Sequence, residues 1–313
     1  MGRSIDGILL IDKEKGETSY GVVKKVRSAL AGLDVKKVGH AGTLDPFATG
    51  LLIILLGQGT KLSPFIMSES KVYLATIRLG IETDTMDPTG QVIRTSSVPV
   101  LSPEQIQEKA SLLVGNREQV PPIYSAVKYK GTRAYRLARK GIKFDLQSKK
   151  IIVHSLSILS VDLPHVTMEV RCSGGTYVRS LAAELGRGLG PGAHLKSLRR
   201  LGSGSFEVRH AVSSKEVSPR DGWHLLGDRI ISLSAALPNM MELEVEKGLA
   251  EKVRHGYQPA WEELKKVSDF SGPKGHGDGH LKLVRDGDLL AIVSIEQGKG
   301  PGHSTPRLER VFS

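Results

Sequence analysis

The sequence predicts an α+β fold with one large domain followed by a small β-rich domain. Apolar runs or alternating apolar residues at 7–11, 71–80 and 165–173 are typical of strands with at least one buried face. Apolar residues at helical spacing, as at 20–31, indicate helices that pack against such a sheet. Strands and helices are therefore expected to share one core in the first part of the chain.

The first elements follow in a clear order. The helix at 20–31 has Thr18 before it as a capping residue and Gly32 after it as a terminator. A turn-rich stretch separates the next strand from an amphipathic helix at 103–114, which Ser102 precedes. Each helix thus has its own start signal.

Later segments continue this alternation. After the strand at 165–173, Thr176 is the expected cap of a helix that runs through Leu189. The basic stretch at 194–202 predicts a further helix.

The chain divides into two predicted domains. At 313 residues it exceeds a single typical domain. Short strands and turns dominate near the C-terminus, and the alternation at 287–295 is that of a strand. We therefore expect domains at 1–236 and 237–313.

Composition limits the class of protein. The net charge of +11, with a pI near 9.6, attracts polyanions, of which nucleic acid is the commonest in the cytosol. The one cysteine, Cys172, excludes an internal disulfide framework and favours a reducing compartment. The first residues do not resemble a signal peptide, and the longest apolar run, at 51–56, is too short to cross a bilayer. A cytoplasmic protein with no membrane segment is expected.

A basic segment with interspersed tyrosines lies at 120–141. Its lysines and arginines alternate with Tyr124, Tyr129 and Tyr135. Cations pair with phosphates and aromatic rings stack on bases, so this mixture suits RNA. A solvated basic helix is the alternative interpretation.

The stretch GHAGTLDPFATGLL, at 39–52, holds a single acid. Asp45 precedes Pro46, which favours extended backbone, and the flanking glycines favour loop geometry. An acid on a loop before a buried strand can point into a cleft. An ordinary Asp-Pro turn is the alternative.

A second unusual feature is the stretch CSGGTYVRSL, at 172–181. If Thr176 caps the helix, Arg179 lies in its first turn, where a cation opposes the helix dipole. Such violations of local rules cluster at functional sites, so an anionic partner for Arg179 is expected. The alternative is an exposed arginine at a tolerated position.

Together these stretches resemble the TruB family of pseudouridine synthases, which convert a uridine in the T-loop of tRNA. LLIDKEKGETS, KVYLATIRLGIETDTMDPTG, VPPIYSAVKYKGTRAYRLARKG, VRCSGGTYVRSLAAELG and GAHLKSLRRLGSGSF resemble family segments in the family's order, over roughly residues 5–210. The resemblance implies a pseudouridine synthase fold, with a mixed, largely antiparallel sheet and a central cleft, followed by a PUA-like RNA-binding domain. One departure is Glu14, where the family motif usually has proline.

The resemblance also implies residue roles. Asp45 matches the catalytic aspartate, Tyr73 the ring that stacks under the flipped base and carries a proton, and Arg179 the arginine that pairs with the carboxylate. The matched substrate-binding residues are Tyr73 again, the RNA-inserting His40, the base-pocket residues Tyr177 and Leu198, and Lys13, which supports the catalytic loop.

The chemistry implied by the resemblance requires no cofactor and no metal. Isomerising uridine breaks the bond from C1′ to N1, rotates the base and joins C5 to C1′, with no redox change. A second catalytic acid is not needed, because water must not capture the intermediate. Three routes stay open for Asp45: attack at C1′, attack at C6, or action as a base toward a glycal.

The expected partner is tRNA through its T-stem-loop, with a monomeric protein and no obligatory protein partner. One rival is a non-catalytic RNA binder or tRNA-folding chaperone on the same scaffold. Another is a metal-dependent phosphoryl-transfer enzyme that uses Glu82, Asp84 and Asp87, although no phosphate-binding loop accompanies them. A metal site at His276, Asp278 and His280 is less favoured than a glycine-rich loop.

Overall fold

A computed structural model describes residues 5–218, 222–265, 279–297 and 304–312. Strands and helices alternate from the start of the described chain. The first elements are β1 (Gly7–Lys13), α1 (Ser19–Ala29), β2 (Val38–His40), β3 (Thr49–Leu56), α2 (Ser63–Ser68), β4 (Lys71–Leu79), β5 (Ile81–Thr83), β6 (Val92–Thr95), α3 (Pro103–Ser111) and β7 (Gly115–Gln119).

The middle of the chain adds two long strands and the longest helix. In order, these elements are β8 (Lys128–Tyr129), β9 (Thr132–Arg133), α4 (Ala134–Arg139), β10 (Lys149–Asp162), β11 (His165–Cys172), α5 (Val178–Leu189), β12 (Ala193–Ser203), β13 (Phe206–Glu207) and β14 (Val212–Ser213).

The last part of the described chain contains a second group of strands and helices. It contains α6 (Gly222–Leu226), β15 (Met241–Glu244), α7 (Lys247–Arg254), α8 (Trp261–Lys265), β16 (His280–Arg285), β17 (Asp288–Gln297) and β18 (Ser304–Val311).

A ten-stranded sheet forms the centre of the first part, in the order β14-β1-β3-β12-β4-β11-β10-β7, with β2 beside β3 and β13 beside β12. Only β1 with β14 and β3 with β12 are parallel among its described pairs. A separate four-stranded sheet has the order β15-β16-β17-β18. The predicted α+β fold, with a mixed and largely antiparallel sheet and a small β-rich C-terminal part, is confirmed.

Several predicted elements lie where the sequence placed them. Helix α1 begins after Thr18, whose hydroxyl accepts a hydrogen bond from the N–H of Gly21. Helix α3 begins after Ser102 in a full capping box with Gln105, and it ends at Ser111, three residues earlier than expected. Local capping chemistry therefore determines both helix starts.

The predicted helix at 194–202 is wrong, because this stretch belongs to strand β12. The pairing of β12 with β4 shifts register between Leu195 and Ser197. The inserted residue of this β-bulge leaves Leu195 and Leu198 both buried although they are three apart. A bulged strand thus reproduces the spacing of a helix.

The basic segment and helix α5 differ in detail from expectation. The segment at 120–141 is not one basic helix: it contains the short β8–β9 hairpin and the single-turn helix α4. The N-cap of α5 is Tyr177 rather than Thr176, and the Tyr177 side chain makes no hydrogen bond to the N–H groups at the helix N-terminus. Arg179 nevertheless lies in the first turn, as predicted.

Apolar packing connects the layers. One cluster joins the sheet to α3 and α5, and another joins the opposite end of the sheet to α1. A third includes Ile53 and Leu55 of β3 together with Val284, Ile292 and Phe312 of the C-terminal part. The two parts therefore share buried apolar surface.

Two further expectations concern membrane-spanning helices and a metal site. None of the helices in the described ranges is long and apolar enough to cross a membrane. The proposed ligands His276 and Asp278 lie outside the described residues. His280 is described, and its ring contacts Phe65 edge-on, with the centroids 5.4 Å apart.

Candidate active site

The loop between β2 and β3 carries Asp45 and is fixed from several sides. The hydroxyl of Ser19 both donates to the carbonyl of Leu44 (3.0 Å) and accepts from its N–H (2.9 Å). The N–H of Gly16 donates to the carbonyl of Pro46 at 2.7 Å. The start of helix α1 and the turn before it therefore fix the backbone on both sides of the acid.

Two glycines, Gly42 in this loop and Gly50 in β3, are required by geometry. Gly42 and Gly50 have φ of +96° and +101°, which side-chain-bearing residues rarely adopt. A Cβ atom at Gly50 would lie 2.3 Å from the carbonyl oxygen of Arg200 on β12. The glycines in the motif thus allow the loop to turn and the strand to approach β12 closely.

Asp45 faces Arg179, the anionic partner that the sequence led us to expect. The Arg179 Nε lies 3.0 Å from Asp45 Oδ2, and the arginine side chain is 4% exposed. Arg179 Nη1 lies 3.2 Å from a second carboxylate, Asp87, which is buried as well. Two carboxylates therefore offset the unfavourable position of this cation at a helix N-terminus.

Backbone carbonyls hold the remaining donors of the same guanidinium. Arg179 Nη1 donates to the carbonyl of Thr85, and Nη2 donates to the carbonyl of Tyr124, both at 3.0 Å. Arg179 thereby joins the loop with Asp45, the turn with Asp87 and the start of the basic segment.

The Asp45 carboxylate is partly accessible. Its side chain is 35% exposed, so the site is not dry in the free protein. Loss of hydration raises its pKa, Arg179 opposes this shift, and the charge of Asp87 adds to it. The net effect is a pKa above the ordinary value of aspartate.

Tyr73 lies on β4, in the centre of the sheet. Its cross-strand partner on β12 is Arg200, whose guanidinium lies 5.9 Å from the centre of the Tyr73 ring. Burial raises the pKa of Tyr73, whereas the charge of Arg200 lowers it. The half-buried ring packs against the apolar cluster that contains Leu44 and Leu198.

Arg200 is almost completely buried, at 1% exposure. Its guanidinium donates to the carbonyl of Gly42 (3.2 and 3.4 Å), whereas its Nε has no hydrogen-bond partner among the described residues. Burial lowers its pKa. The Arg200 guanidinium thus contacts both the Gly42 carbonyl of the Asp45 loop and the ring of Tyr73.

Tyr177 and Leu198, the predicted base-pocket residues, lie at the start of α5 and on β12. Tyr177 is the half-buried N-cap of α5, and the charge of Asp45 contributes to its raised pKa after burial, the larger cause. Leu198 lies on β12 opposite Ala75 and is 9% exposed. Leu198 belongs to the same apolar cluster as Leu44, the residue before Asp45.

His40 and Lys13 are at the edge of the site. Burial lowers the pKa of His40 first and the charge of Arg200 second, and its Nδ1 has no hydrogen-bond partner. Lys13 is fully buried and donates to the carbonyls of Glu14 (3.0 Å) and Glu17 (2.8 Å). Burial lowers the pKa of Lys13 to about 8. The lysine thus holds the turn that contacts the Asp45 loop.

Glu14, which departs from the family motif, uses the N–H that proline lacks. This N–H donates to the hydroxyl of Ser214 at 3.1 Å. The departure therefore adds a contact to β14 and leaves the site geometry in place.

Sequence reasoning missed Asp87 and Arg200 as members of the site. Asp87 was considered only with Glu82 and Asp84 as a metal ligand. These acids have separate partners: Glu82 pairs with Arg187, and Asp84 accepts from the N–H of Gln91. Within the described part of the chain, no group of three or more His, Cys, Asp or Glu side chains could hold a metal ion.

Comparison with known proteins assigns the family. A family model described as TruB family pseudouridylate synthase (N terminal domain) matches residues 31–178. A protein of Geobacter sulfurreducens named tRNA pseudouridine synthase B is 41% identical over 99% of this chain and 100% of its own length. The chain belongs to the TruB family. A TruB relative of the same name from Geotalea uraniireducens is 42% identical, over 99% of this chain and 98% of its own length.

Solved structures support the fold. A chain in the crystal structure of a Cbf5-Nop10-Gar1 complex superposes with a TM-score of 0.73 and 23% identity, covering 98% of this chain and 85% of that one. A chain of an archaeal box H/ACA sRNP Nop10-Cbf5 complex gives 0.70 at 22% identity, covering 98% and 86%. The fold that this chain shares with those chains therefore includes its C-terminal sheet.

Proposed function

We propose that this TruB-family chain is a tRNA pseudouridine synthase that isomerises the T-loop uridine at tRNA position 55. The observation that supports this most is the contact between Asp45 and Arg179 at 3.0 Å, in a chain about two-fifths identical to named tRNA pseudouridine synthases. The reaction is intramolecular: the bond from C1′ to N1 breaks, the bond from C5 to C1′ forms, and the C5 proton moves to solvent while N1 gains one. The chain's own side chains suffice for these steps.

Asp45 supplies the reactive carboxylate. In its ionised form it can attack C1′ or C6 or remove a sugar proton, and the positive charge of Arg179, 3.0 Å away, favours this form. Because Arg179 also bonds Asp87 and two backbone carbonyls, the guanidinium does not reorganise when charge on Asp45 changes. The carboxylate is thus held in place before the substrate arrives.

Tyr73 stacks on the extruded uracil and carries the proton from C5. Flipping a base from the RNA stack costs a few kcal/mol, and stacking on an aromatic ring returns about 1–3 kcal/mol. Leu198 and Tyr177 cover the other side of the base, and His40 fills the gap in the RNA. The bound nucleotide then excludes the water that reaches the one-third-exposed Asp45 of the free protein.

The T-stem-loop is held by the basic surface. The segment at 120–141 presents exposed Lys128, Arg136 and Lys140. The Arg136 guanidinium lies 6.0 Å from the centre of the Tyr135 ring, and the carbonyl of Tyr124 in the same segment accepts a hydrogen bond from Arg179. A PUA-like domain at 237–313 adds RNA contacts. The protein acts as a monomer in the cytoplasm without an obligatory protein partner.

Incubation of the purified protein with an unmodified T-stem-loop RNA tests this function. Nucleoside chromatography of the digested RNA should show one pseudouridine per molecule, formed equally with and without EDTA. A protein that binds this RNA and leaves every uridine unchanged would instead be the chaperone rival. A reaction abolished by EDTA would contradict the metal-free chemistry.

A further inference from the structure

Gln119, the last residue of β7, makes a two-point contact with the backbone of Tyr177. The N–H of Tyr177 donates to Gln119 Oε1 at 2.8 Å, and Gln119 Nε2 donates to the carbonyl of Tyr177 at 3.2 Å. The glutamine is 7% exposed. One primary amide thus satisfies both backbone groups of a single residue in another element.

This contact replaces a missing helix cap. Ser, Thr, Asp or Asn at the N-cap normally accepts a hydrogen bond from an early N–H of the helix, but the N-cap of α5 is Tyr177 and makes no such bond. Gln119 fixes the cap residue from outside instead. Arg179, two residues further on, takes its direction from this turn.

We propose that Gln119 is a positioning residue for catalysis, which acts by fixing the first turn of α5 and thereby the direction of Arg179 toward Asp45. The proposal rests on the proposed function. Gln119 also immediately precedes the basic segment, and Tyr124 of that segment accepts a hydrogen bond from Arg179 at 3.0 Å. Two contacts therefore connect the start of the basic segment to the first turn of α5: Gln119 with Tyr177, and Tyr124 with Arg179.

The two buried prolines between these points make the connection stiff. Pro121 and Pro122 lie between Gln119 and Tyr124, and proline restricts both its own backbone and that of the preceding residue. A shift of the Gln119 contact would consequently move Tyr177 and Arg179 together.

The chain contains a matched control in Gln107 of α3. Its amide makes a contact of the same kind, donating to the carbonyl of Leu156 at 3.2 Å and accepting from the N–H of Ile158 at 2.8 Å. Gln107 is half-buried and joins α3 to the edge of the sheet at β10. Its loss removes the same two kinds of backbone hydrogen bond, together with one to the Ser111 hydroxyl at 3.3 Å, but touches none of the proposed catalytic residues.

The test compares Gln119→Leu, Gln119→Glu and Gln107→Leu in the full chain, with single-turnover rate, RNA Kd and Tm measured for each. We expect Gln119→Leu to lower the rate constant by about 10- to 100-fold, as a misplacement near 1 Å does, while Kd changes by less than about threefold. Gln119→Glu keeps an acceptor for the Tyr177 N–H and should recover part of the rate. Gln107→Leu should lower the Tm by a similar amount, but its rate constant should stay within about twofold of that of the wild type.

Equal rate losses in Gln119→Leu and Gln107→Leu, or an unchanged rate in Gln119→Leu, would overturn the proposal. Should Gln119→Leu fail to fold, Gln119→Glu decides: a rate equal to that of the wild type contradicts the positioning role. If the wild-type protein itself forms no pseudouridine, the proposed function fails, and this outcome is distinct from any effect of Gln119.

Discussion

Arg179 connects three segments that are distant in sequence, and each of its nitrogen atoms has a defined acceptor. Nε contacts Asp45, Nη1 contacts Asp87 and the Thr85 carbonyl, and Nη2 contacts the Tyr124 carbonyl. A lysine could not reproduce this planar set of donors. The orientation of the guanidinium is therefore a property of the folded protein rather than a result of substrate binding.

Asp87 is expected to tune the acidity of Asp45. Because the pKa of Asp45 is raised by burial and by the Asp87 charge, activity should decline as pH falls through that raised pKa, at a higher pH than for an ordinary aspartate. In Asp87→Asn the acidic limb of the pH–rate profile should move to lower pH, even though the maximal rate drops. Single-turnover rates from pH 4 to 8 measure this. A limb that moves upward would contradict the assigned influence of Asp87.

The same pKa shift has a consequence for stability. A folded-state pKa above the unfolded value means that the ionised carboxylate destabilises the native state at neutral pH, and that this effect disappears as pH falls through the folded pKa. Asp45→Asn should therefore be at least as stable as the wild type at pH 7, as is common at catalytic sites.

Arg200 should be important for activity and nearly neutral for stability. Replacing buried ionic groups by well-packed apolar residues of similar volume is often neutral for stability or stabilising, so Arg200→Met should fold. Its rate should fall at least tenfold, because Tyr73 and the Gly42 carbonyl lose their neighbour. The control is Arg199→Met, which removes only the partly exposed pair with Asp12. Full activity in Arg200→Met would show that this cation is not needed.

At the scale of single residues, the sequence motifs predicted most of the candidate site residues but missed Asp87 and Arg200. Asp45, Arg179 and Tyr73 were named from matched stretches, and the anionic partner of Arg179 followed from its place against the helix dipole. Arg200 carried no comparable signal, since an arginine in a basic stretch is ordinarily solvated. Asp87 was not recognised as a site residue because its partner, Arg179, lies 92 residues away in the sequence.

Strand β12 is the element that sequence reasoning misjudged. Its bulge after Leu195 places Leu195 and Leu198 at buried positions with the spacing of a helix. Pairing with β3 on one side and β4 on the other determines the strand, and such long-range pairing leaves no mark in a local pattern. Capped helices such as α1 were predicted because their signals are local.

The contact of the Asp45 loop with β12 predicts a severe effect of one methyl group. Gly50→Ala would place a Cβ 2.3 Å from the Arg200 carbonyl oxygen at a φ of +101°. We expect a loss of about 3–5 kcal/mol in the free energy of unfolding. Gly188→Ala is the control, since nothing lies within 4 Å of its Cβ position in α5, and it should stabilise by about 0.5–1 kcal/mol. Urea denaturation checks both, and equal effects would contradict the close approach.

On the scale of the whole molecule, charge and packing have separate roles. The net charge of +11 attracts RNA without determining the fold. The apolar cluster that contains Ile53 and Phe312 joins the first sheet to the C-terminal sheet, and Lys61 adds a hydrogen bond to the Val311 carbonyl at 2.7 Å. The basic surface thus belongs to a molecule whose packed core includes β3, the strand that follows the Asp45 loop.

RNA affinity should depend steeply on salt. Between about 50 and 200 mM salt the Kd for a T-stem-loop should rise by at least a factor of ten, since released counterions dominate binding to phosphates. Replacing Lys128, Arg136 and Lys140 by alanine should reduce the slope of log Kd against log salt by about three. Fluorescence anisotropy measures both. An affinity insensitive to salt would be incompatible with a phosphate-dominated interface.

The most direct test of the central claim is tritium release from a T-stem-loop RNA labelled at C5 of uridine, with the wild type and Asp45→Asn compared at saturating protein. If Asp45 performs the isomerisation, the wild type releases the label from one uridine, and Asp45→Asn releases none while its RNA Kd stays within about tenfold of the wild type. Label release by Asp45→Asn at a rate near that of the wild type would contradict the account.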